Sequence, residues 1–236
     1  RALARLPRAG VQAAAILRRH RPDAVIGLGG FASGPVGLLA GVGPMPLFLL
    51  EQNARPGITN RVLAPFARAI YATFEDERGA FAPEKTHVFG NPIRRELLDV
   101  RERRKAHDGP PRVLVFGGSQ GSTSLNAALP RIVQALRIDG VAFDVWHASG
   151  RGLLDEVRAG YLARGLDARV DAYIDDMATA YAWADLVVCR AGATTLSELT
   201  AIGLPALYVP FPHAADDHQT ANALAVVEAG GGVMVS

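Results

Sequence analysis

Two glycine-rich turns follow short apolar runs, and each has the composition that a backbone anion site needs. The first is Gly27–Pro35 (GLGGFASGP) and the second is Gly117–Ser122 (GGSQGS). Glycine allows a tight turn, and the N–H groups at the start of a following helix can bind phosphate or another anion. Neither turn has the G-x-G-x-x-G or P-loop spacing, so each signal is weak alone, and an ordinary strand–helix turn is the alternative.

A third turn of small residues, Arg190–Glu198 (RAGATTLSE), also follows an apolar run. Small side chains permit close approach of a ligand, and Thr194 and Thr195 can cap the helix that follows. Glu198 is predicted in the first turn of that helix, where its carboxylate can accept hydrogen bonds from both vicinal hydroxyls of a ribose. The alternative is a capping box between Thr195 and Glu198, which have the required spacing, and both roles can coexist.

Polar residues follow three further apolar runs. Glu51, Gln52 and Asn53 come directly after residues 47–50, so we expect them at the mouth of a cleft. Arg94 can pair with a diphosphate through two hydrogen bonds, although an ordinary surface arginine is the alternative. The segment 210–223 (PFPHAADDHQTANA) offers acid, imidazole and amide groups for sugar hydroxyls. A metal site there is less favoured, because helix N-capping by aspartate explains the acids more simply.

The elements that position these residues alternate along the whole chain. The apolar runs lack polar alternation, which is typical of strands covered by helices on both faces. Strands that alternate with helices predict right-handed βαβ units and parallel sheets. The predicted strands are 24–28, 47–50, 69–73, 86–89, 112–116, 143–147, 169–172, 186–189, 206–209 and 232–235. The predicted helices are 11–20, 34–41, 59–67, 122–136, 153–164, 177–183, 195–202 and 217–229.

A charged segment that ends in Gly-Pro-Pro, residues 99–111, interrupts the alternation. We interpret it as a linker, with a long surface loop within one domain as the alternative. The predicted fold class is therefore α/β, with two Rossmann-like, doubly wound parallel-sheet domains at residues 1–98 and 112–236.

Composition and charge narrow the class of protein. The single Cys189 excludes a disulfide framework, and the net charge of +2 does not indicate binding to nucleic acid. No uncharged apolar run reaches the roughly 18–20 residues of a membrane-spanning helix. Positive charge is concentrated near the start of the chain, where apolar residues lie between the arginines. This pattern predicts a surface for anionic lipid, with a solvated helix face as the alternative. The arginines are Arg1, Arg5, Arg8, Arg18, Arg19 and Arg21, and the apolar residues are Leu3, Leu6, Val11, Ile16 and Leu17.

The chain resembles the bacterial peptidoglycan N-acetylglucosaminyltransferases of the MurG family over essentially its whole length. Six segments carry the resemblance in order: GLGGFASGP, LEQNARPGITN, GNPIR, VFGGSQGS, IDDMATAYAWADLVVCRAGATTLSEL and GLPALYVPFPHAADDHQTANA. The resemblance implies two Rossmann-like domains in the GT-B arrangement with a cleft between them. It implies transfer of GlcNAc from UDP-GlcNAc, with inversion, to the MurNAc 4-hydroxyl of lipid I (undecaprenyl-diphospho-MurNAc-pentapeptide), forming lipid II.

The same resemblance implies the setting of the reaction. It places the enzyme peripherally on the cytoplasmic face of the bacterial plasma membrane, at an anionic membrane surface. It also implies partners among cell-wall synthesis and division proteins, with no cofactor, no metal and no nucleic acid.

Site residues follow from matching motifs. Ser119 matches a contact to the diphosphate, Ile174 a backbone contact to the uracil, Glu198 the ribose contact and Gln219 the contact to the GlcNAc hydroxyls. The full set implied for UDP-GlcNAc is Asn53, Arg94, Ser119, Ile174, Ala193, Thr194, Thr195, Leu196, Ser197, Glu198 and Gln219. The set on the acceptor and phosphate side is Gly29, Gly30, Ser33, Glu51 and Gln52.

Three departures from the family pattern affect these expectations. Leu50 stands where the family usually has histidine, and His218-Gln219 replaces the Gln-Gln of some members. The family's N-terminal Gly-Gly-Thr-Gly-Gly-His loop, with its proposed catalytic base, does not occur, so the base is not identified. We therefore expect this sequence to be an internal part of a longer enzyme.

Other interpretations of the motifs remain open at this point. A UDP-GlcNAc 2-epimerase or a glycolipid glycosyltransferase would share the architecture. A nicotinamide-dependent oxidoreductase would need the G-x-G-x-x-G spacing that both glycine turns lack. A non-catalytic nucleotide-sugar-binding fragment would keep the donor residues alone.

Overall fold

The computed structural model describes residues 6–76, 78–118 and 120–235, and its contacts divide the chain into two units. The first unit comprises residues up to Asn91 together with Ala215–Ala221, and the second comprises Pro92–Ala214 and the residues from Asn222 onward. Each unit is built on its own parallel sheet, which confirms the predicted fold class. The domain boundaries inferred from the linker stay a prediction.

The first unit contains a four-stranded sheet in the order β1-β2-β3-β4. Parallel pairing aligns Ile26 with Phe48 and Leu49 with Ile70. Its core lies between the sheet and the helices, with Leu47, Leu63 and Phe81 buried. The strands are β1 (Val25–Gly27), β2 (Leu47–Glu51), β3 (Ala69–Ala72) and β4 (Thr86–Val88), and the helices are α1 (Leu6–His20), α2 (Gly30–Val42) and α3 (Ile58–Leu63).

The second unit contains a six-stranded sheet in the order β10-β9-β8-β5-β6-β7. Counted within this unit the order is 3-2-1-4-5-6, read from the other edge, which is that of the Rossmann fold. The strands are β5 (Arg112–Phe116), β6 (Asp144–Ala148), β7 (Arg169–Asp171), β8 (Leu186–Cys189), β9 (Ala206–Tyr208) and β10 (Gly232–Met234). The helices are α4 (Arg95–Leu98), α5 (Val100–Arg103), α6 (Thr123–Ile138), α7 (Leu154–Leu162), α8 (Met177–Trp183), α9 (Ala193–Ile202) and α10 (His218–Glu228), whose first turn falls in the segment grouped with the first unit.

All ten predicted strands are present, but their burial is less uniform than the apolar runs predict. The central strands β5 and β8 are buried over nearly their whole length. In β2 burial alternates, and β4, which lies at the edge of its sheet, is largely exposed. Covering on both faces therefore applies to the middle of the second sheet and to β3 of the first sheet, but not to β2 or β4.

The segment interpreted as a linker is partly helical. Val100–Arg103 forms α5, and α4 precedes it directly. Leu97 and Val100 are fully buried, so the two short helices are anchored by one apolar side chain each.

Candidate functional site

The carboxyl end of the second sheet brings two of the predicted turns together. The last residue of β5, Phe116, is paired with Cys189 of β8 on one side and with Ala148 of β6 on the other. The chain passes from β5 to β6 and β7 on one side and then crosses to β8 on the other, so the topology switches between β5 and β8. Ligands of open α/β sheets bind in the crevice at such a point. The turns after Phe116 and Cys189 leave the sheet side by side there.

Close backbone contact explains why the turn after β5 needs glycine. Gly121 has φ +75° and lies against the loop after β6. A Cβ atom on Gly121 would overlap the carbonyl oxygen of Ser149 and lie 2.9 Å from the Cα of Gly150. The turn ends at Ser122, which caps α6 by accepting a hydrogen bond from the backbone N–H of Leu125 (3.4 Å). Ser119, predicted to contact a diphosphate, lies outside the described residues.

A buried chain of polar groups holds the loop against which this turn packs. The Asn126 side-chain amide donates to the carbonyl oxygen of Ser149 (2.8 Å), so its Oδ1 faces His147. His147 Nε2 therefore carries the proton and donates to Asn126 (3.0 Å), and Nδ1 accepts from the Tyr161 hydroxyl (3.0 Å). His147 is fully buried, and burial lowers its pKa to about 4, which keeps the ring neutral as this pattern requires.

Arg190 joins the two neighbouring turns. Its Nε and Nη2 donate to the hydroxyl of Ser122 (3.1 and 2.9 Å), and Nη2 donates to the hydroxyl of Ser124 (2.6 Å). Its Nη1 donates to the carbonyl oxygens of Val209 and Pro210 (2.9 and 2.7 Å). Arg190 thus fixes the start of α6 relative to the residues that follow β9, and it places a positive charge beside both turns.

The helix after β8 begins earlier than the sequence predicts. Gly192 is its N-cap and Ala193 its first residue, so Thr195 is already helical. The predicted caps at Thr194 and Thr195 and the capping box with Glu198 are therefore wrong, and Glu198 lies beyond the first turn. Ser197 donates through its hydroxyl to the carbonyl oxygen of Ala193 (2.8 Å), and Leu196 is fully buried.

Glu198 is held by two neighbours. Its side chain is only 9% exposed, and its Oε2 accepts a hydrogen bond from the hydroxyl of Tyr181 (2.9 Å). Its Oε1 lies 3.6 Å from Nη2 of Arg94, whose Nη1 is 3.3 Å from Glu96. The structure therefore brings together two predicted donor-site residues, Arg94 and Glu198, and adds Tyr181 to them.

Ile174 lies in the loop between β7 and α8, and its side chain is buried. Asp176 ends this loop by capping α8, and its carboxylate accepts from the backbone N–H and the hydroxyl of Thr179 (3.0 and 2.6 Å). These hydrogen bonds lower the pKa of Asp176. The backbone at Ile174, predicted to contact uracil, is thus fixed between a buried side chain and a capped helix.

In the first unit, Glu51 organises the segment that follows β2. It is the last residue of the strand and is only 3% exposed, which differs from the expected position at a cleft mouth. One carboxylate oxygen accepts from the backbone N–H and the side-chain amide of Asn53 (3.0 and 3.3 Å). The other accepts from Gly57 N–H and the amide of Asn60 (both 2.9 Å). Glu51 therefore fixes the loop that presents Gln52 and Asn53, which are half-buried.

The first glycine turn leads into α2 sooner than predicted, because the helix starts at Gly30 and not Gly34. Gly29 and Gly30 have φ +80° and +73°. Ser33 is therefore in the first helical turn, where its hydroxyl donates to the carbonyl oxygens of Gly29 (2.7 Å) and Gly30 (3.0 Å). A Cβ atom on Gly29 would meet the Asn60 amide at 3.5 Å, so the turn packs on the loop that Glu51 organises.

The segment Ala215–Ala221 belongs to the first unit by its contacts. Asp216 and Asp217 both have φ +52°, and α10 begins after them, at His218. Arg55 Nη1 donates to the carbonyl oxygen of Asp216 (2.8 Å) and lies 3.4 Å from the carboxylate of Asp217. Gln219 is half-buried in the first turn of α10. Among the described residues, no group of His, Cys, Asp and Glu side chains is arranged to hold a metal ion.

Cys189 is fully buried at the end of β8. Burial raises the pKa of its thiol, so the thiolate is disfavoured. Cys189 is therefore a packing residue of the second sheet.

Sequence reasoning missed four residues that shape this site: Tyr181, Arg190, Asn126 and His147. Tyr181 lies 17 positions from Glu198 and Asn126 lies 21 positions from His147, so local spacing contains no signal for either pair. Arg190 stands inside a motif singled out from the sequence, directly after the end of β8. Its position was therefore a usable signal for a group that contacts the neighbouring turn.

Comparison with known proteins agrees with this geometry. The model of the glycosyltransferase family 28 C-terminal domain matches residues 112–236, and that of the N-terminal domain matches residues 1–72. An enzyme of Myxococcus xanthus named UDP-N-acetylglucosamine–N-acetylmuramyl-(pentapeptide) pyrophosphoryl-undecaprenol N-acetylglucosamine transferase is 45% identical over 99% of this chain and 61% of its own length. The crystal structure of Acinetobacter baumannii MurG superposes with a TM-score of 0.81 at 34% identity, over 100% of this chain and 67% of that one.

A UDP-N-acetylglucosamine 2-epimerase structure described as putative, from Listeria monocytogenes, superposes over 98% of this chain and 67% of its own, with a TM-score of 0.68. At 12% identity this likeness shows the fold alone. The sheet order and the two turns at the switch point define a Rossmann-type α/β protein. Within that class, the chain belongs to glycosyltransferase family 28. It spans about 60% of the length of the curated relatives that it matches.

Proposed function

We propose that this chain is part of an inverting glycosyltransferase that moves GlcNAc from UDP-GlcNAc to the MurNAc 4-hydroxyl of lipid I, forming lipid II. The observation that carries the proposal is the pairing of Phe116 with Cys189. Because these two residues end neighbouring strands, the glycine turn and the segment that bears Glu198 leave the sheet side by side. Relatives named for this transfer, of which the M. xanthus enzyme is one, support the choice of reaction.

The donor is proposed to lie along the carboxyl edge of the second sheet. The carboxylate of Glu198 accepts hydrogen bonds from the ribose hydroxyls, and the backbone at Ile174 contacts the uracil. The diphosphate lies against the glycine turn and the start of α9, within the stretch Ala193–Glu198. By motif matching, Gln219 is assigned to the GlcNAc hydroxyls and Asn53 to the donor.

Departure of UDP requires stabilisation of the charge that develops on the diphosphate. The chain supplies the N–H groups at the starts of α6 and α9, where the helix dipole also favours an anion. Arg94 adds a positive charge that a ligand can reach, because its side chain is 47% exposed. On the acceptor side we propose Gly29, Gly30, Ser33 and Gln52 as contacts, while Glu51 acts through the loop that it holds.

Peripheral attachment to the cytoplasmic face of the membrane is proposed to involve α1. Within the described residues, none of the helices combines the length and apolar character needed to cross a bilayer. On α1 the side chains of Val11, Arg18 and Arg19 are exposed, whereas Leu17 is buried and therefore unavailable to lipid. Arg1, Leu3 and Arg5 lie outside the described residues.

The double substitution Arg18→Gln/Arg19→Gln will weaken binding to anionic vesicles by at most about 2 kcal/mol at low salt and by less at 0.15 M salt. Each arginine near an anionic surface contributes about 1 kcal/mol, which salt screens. Co-sedimentation with vesicles that contain phosphatidylglycerol measures the loss, and Arg131→Gln/Arg137→Gln on α6 is the matched control. Equal loss in both double variants would place the attachment surface elsewhere.

The substitution Glu198→Ala tests the function itself. It will weaken UDP binding by about 2 kcal/mol, or roughly 30-fold, because the ribose loses a charged hydrogen-bond acceptor. Isothermal titration calorimetry of the chain with UDP measures the change. Binding of 2′-deoxy-UDP will fall less, since this ligand has only one of the two hydroxyls.

Two outcomes of this titration contradict the proposal. If the unsubstituted chain does not bind UDP at millimolar concentration while folded, the donor site is not where we place it. If Glu198→Ala weakens UDP and 2′-deoxy-UDP equally, the carboxylate does not accept from the 2′-hydroxyl, and the proposed contact to both hydroxyls is wrong. A thermal melt of each variant confirms that the titrated protein is folded.

A further inference from the structure

Tyr181 is a buried tyrosine whose hydroxyl has one hydrogen-bond acceptor, the carboxylate of Glu198. The side chain is on α8 and is only 1% exposed, and its ring lies 6.2 Å from that of Phe116 at the end of β5. Burial and the neighbouring charge of Glu198 raise the pKa of Tyr181, so the hydroxyl keeps its proton. Tyr181 is therefore a permanent donor to Glu198, within the packed interior of the second unit.

This hydrogen bond limits the conformations of the Glu198 side chain. The last torsion of a free glutamate side chain has a broad distribution, so the plane of its carboxylate is only weakly restrained. Donation from Tyr181 to Oε2 at 2.9 Å occupies one lone pair and fixes the plane of the carboxylate from its buried side. The contact between Arg94 and Oε1 is longer, at 3.6 Å, and the Arg94 side chain is half-exposed. Arg94 therefore constrains the carboxylate less than Tyr181 does. The remaining lone pairs of the Glu198 carboxylate therefore have a fixed orientation before a ligand binds.

We propose that Tyr181 is a positioning residue for nucleotide binding: it orients the Glu198 carboxylate so that both oxygens can accept from the vicinal hydroxyls of a ribose. The inference rests on the proposed function, since it assigns Glu198 to the ribose. Binding to a group that is already oriented avoids the entropic cost of ordering it. Tyr181 thus acts on affinity without touching the nucleotide.

A double-mutant cycle on the chain tests this role, with UDP as the ligand and calorimetry as the measurement. Tyr181→Phe removes only the hydroxyl, and we expect UDP to bind roughly 3- to 10-fold more weakly, the range for losing one such hydrogen bond. In the Glu198→Ala background the same substitution should leave UDP affinity unchanged, because the group it orients is gone. Binding of a 2′,3′-dideoxy nucleotide should also be unaffected by Tyr181→Phe.

Tyr208→Phe is the matched control. Tyr208 is fully buried in β9 of the same unit, and its hydroxyl donates to the carbonyl oxygen of Gly231 (3.4 Å) and not to Glu198. It should change stability without changing UDP affinity. A similar loss of affinity in Tyr208→Phe, or a loss from Tyr181→Phe that persists without Glu198, would overturn the positioning role. Absence of UDP binding by the unsubstituted chain would instead overturn the proposed function, and the role of Tyr181 with it.

Discussion

Replacing Gly121 with alanine will lower the free energy of unfolding by about 4 kcal/mol and abolish measurable UDP binding. The left-handed backbone at φ +75° costs any residue with a Cβ about 1–2 kcal/mol. The larger part comes from overlap of the new methyl group with the carbonyl oxygen of Ser149, which is backbone and cannot rotate away. The two loops must separate, which moves the glycine turn out of the proposed diphosphate site.

Gly140→Ala is the control that isolates the overlap. Gly140 also has a left-handed backbone, with φ +82°, but a Cβ atom there would meet nothing within 4 Å. We therefore expect a loss of only about 1–2 kcal/mol, with UDP binding intact. Urea unfolding followed by circular dichroism measures both variants. Equal losses in the two variants would show that the contact between Gly121 and Ser149 does not constrain the turn.

The sheets of this protein were predictable because buried strands leave a strong local pattern. The runs Val113–Phe116 and Leu186–Cys189 are apolar throughout and are bounded by charged or glycine residues. The strands that contain them, Arg112–Phe116 and Leu186–Cys189, have the predicted bounds. Since the carboxyl ends of parallel strands meet at one edge, the turns after them could also be placed together. This placement needs no knowledge of side-chain contacts.

Helix starts were less predictable, because glycine can serve as an N-cap without any side-chain signal. The sequence favours Thr194 and Thr195 as caps, but the structure uses Gly192, and the carboxylate of Glu198 is left free to meet Tyr181. The short helix Val100–Arg103 contains too few residues to show a helical period, so it looked like part of a linker.

The buried polar contacts could not be predicted from spacing. Glu51 was expected at the mouth of a cleft because it directly follows a predicted buried strand. In β2, however, every second residue faces the core, and Glu51 continues the positions of Leu47 and Leu49. Four hydrogen bonds from the following loop offset the cost of burying the charge. Such partners are visible only once the chain is folded.

Lowering the pH from 6.5 to 4 will cost the second unit about 3 kcal/mol of stability through His147 alone. Burial lowers the pKa of His147 from its ordinary value of 6.5 to about 4 in the folded protein. Between these values the unfolded chain binds a proton that the folded chain does not, so stability falls as the pH falls. The contribution is fully present above pH 6.5 and is lost at about pH 4, and each pKa unit corresponds to about 1.4 kcal/mol.

The substitution His147→Gln separates this effect from the titration of carboxylates in the same pH range. The variant will be less stable at pH 7, because glutamine cannot reproduce the bonds to both Asn126 and Tyr161, but its stability will depend less steeply on pH. His213→Gln, at an exposed position in the same unit, should keep the slope of the unsubstituted chain. Urea unfolding at half-unit steps of pH measures the stability of all three proteins.

Protonation of His147 should also affect UDP binding. A protonated His147 can no longer accept a hydrogen bond from Tyr161, so the loop after β6, against which Gly121 lies, loses this support in the same pH range. UDP affinity should therefore fall together with stability. A slope in His147→Gln as steep as in the unsubstituted chain would show that His147 is not held neutral by the fold.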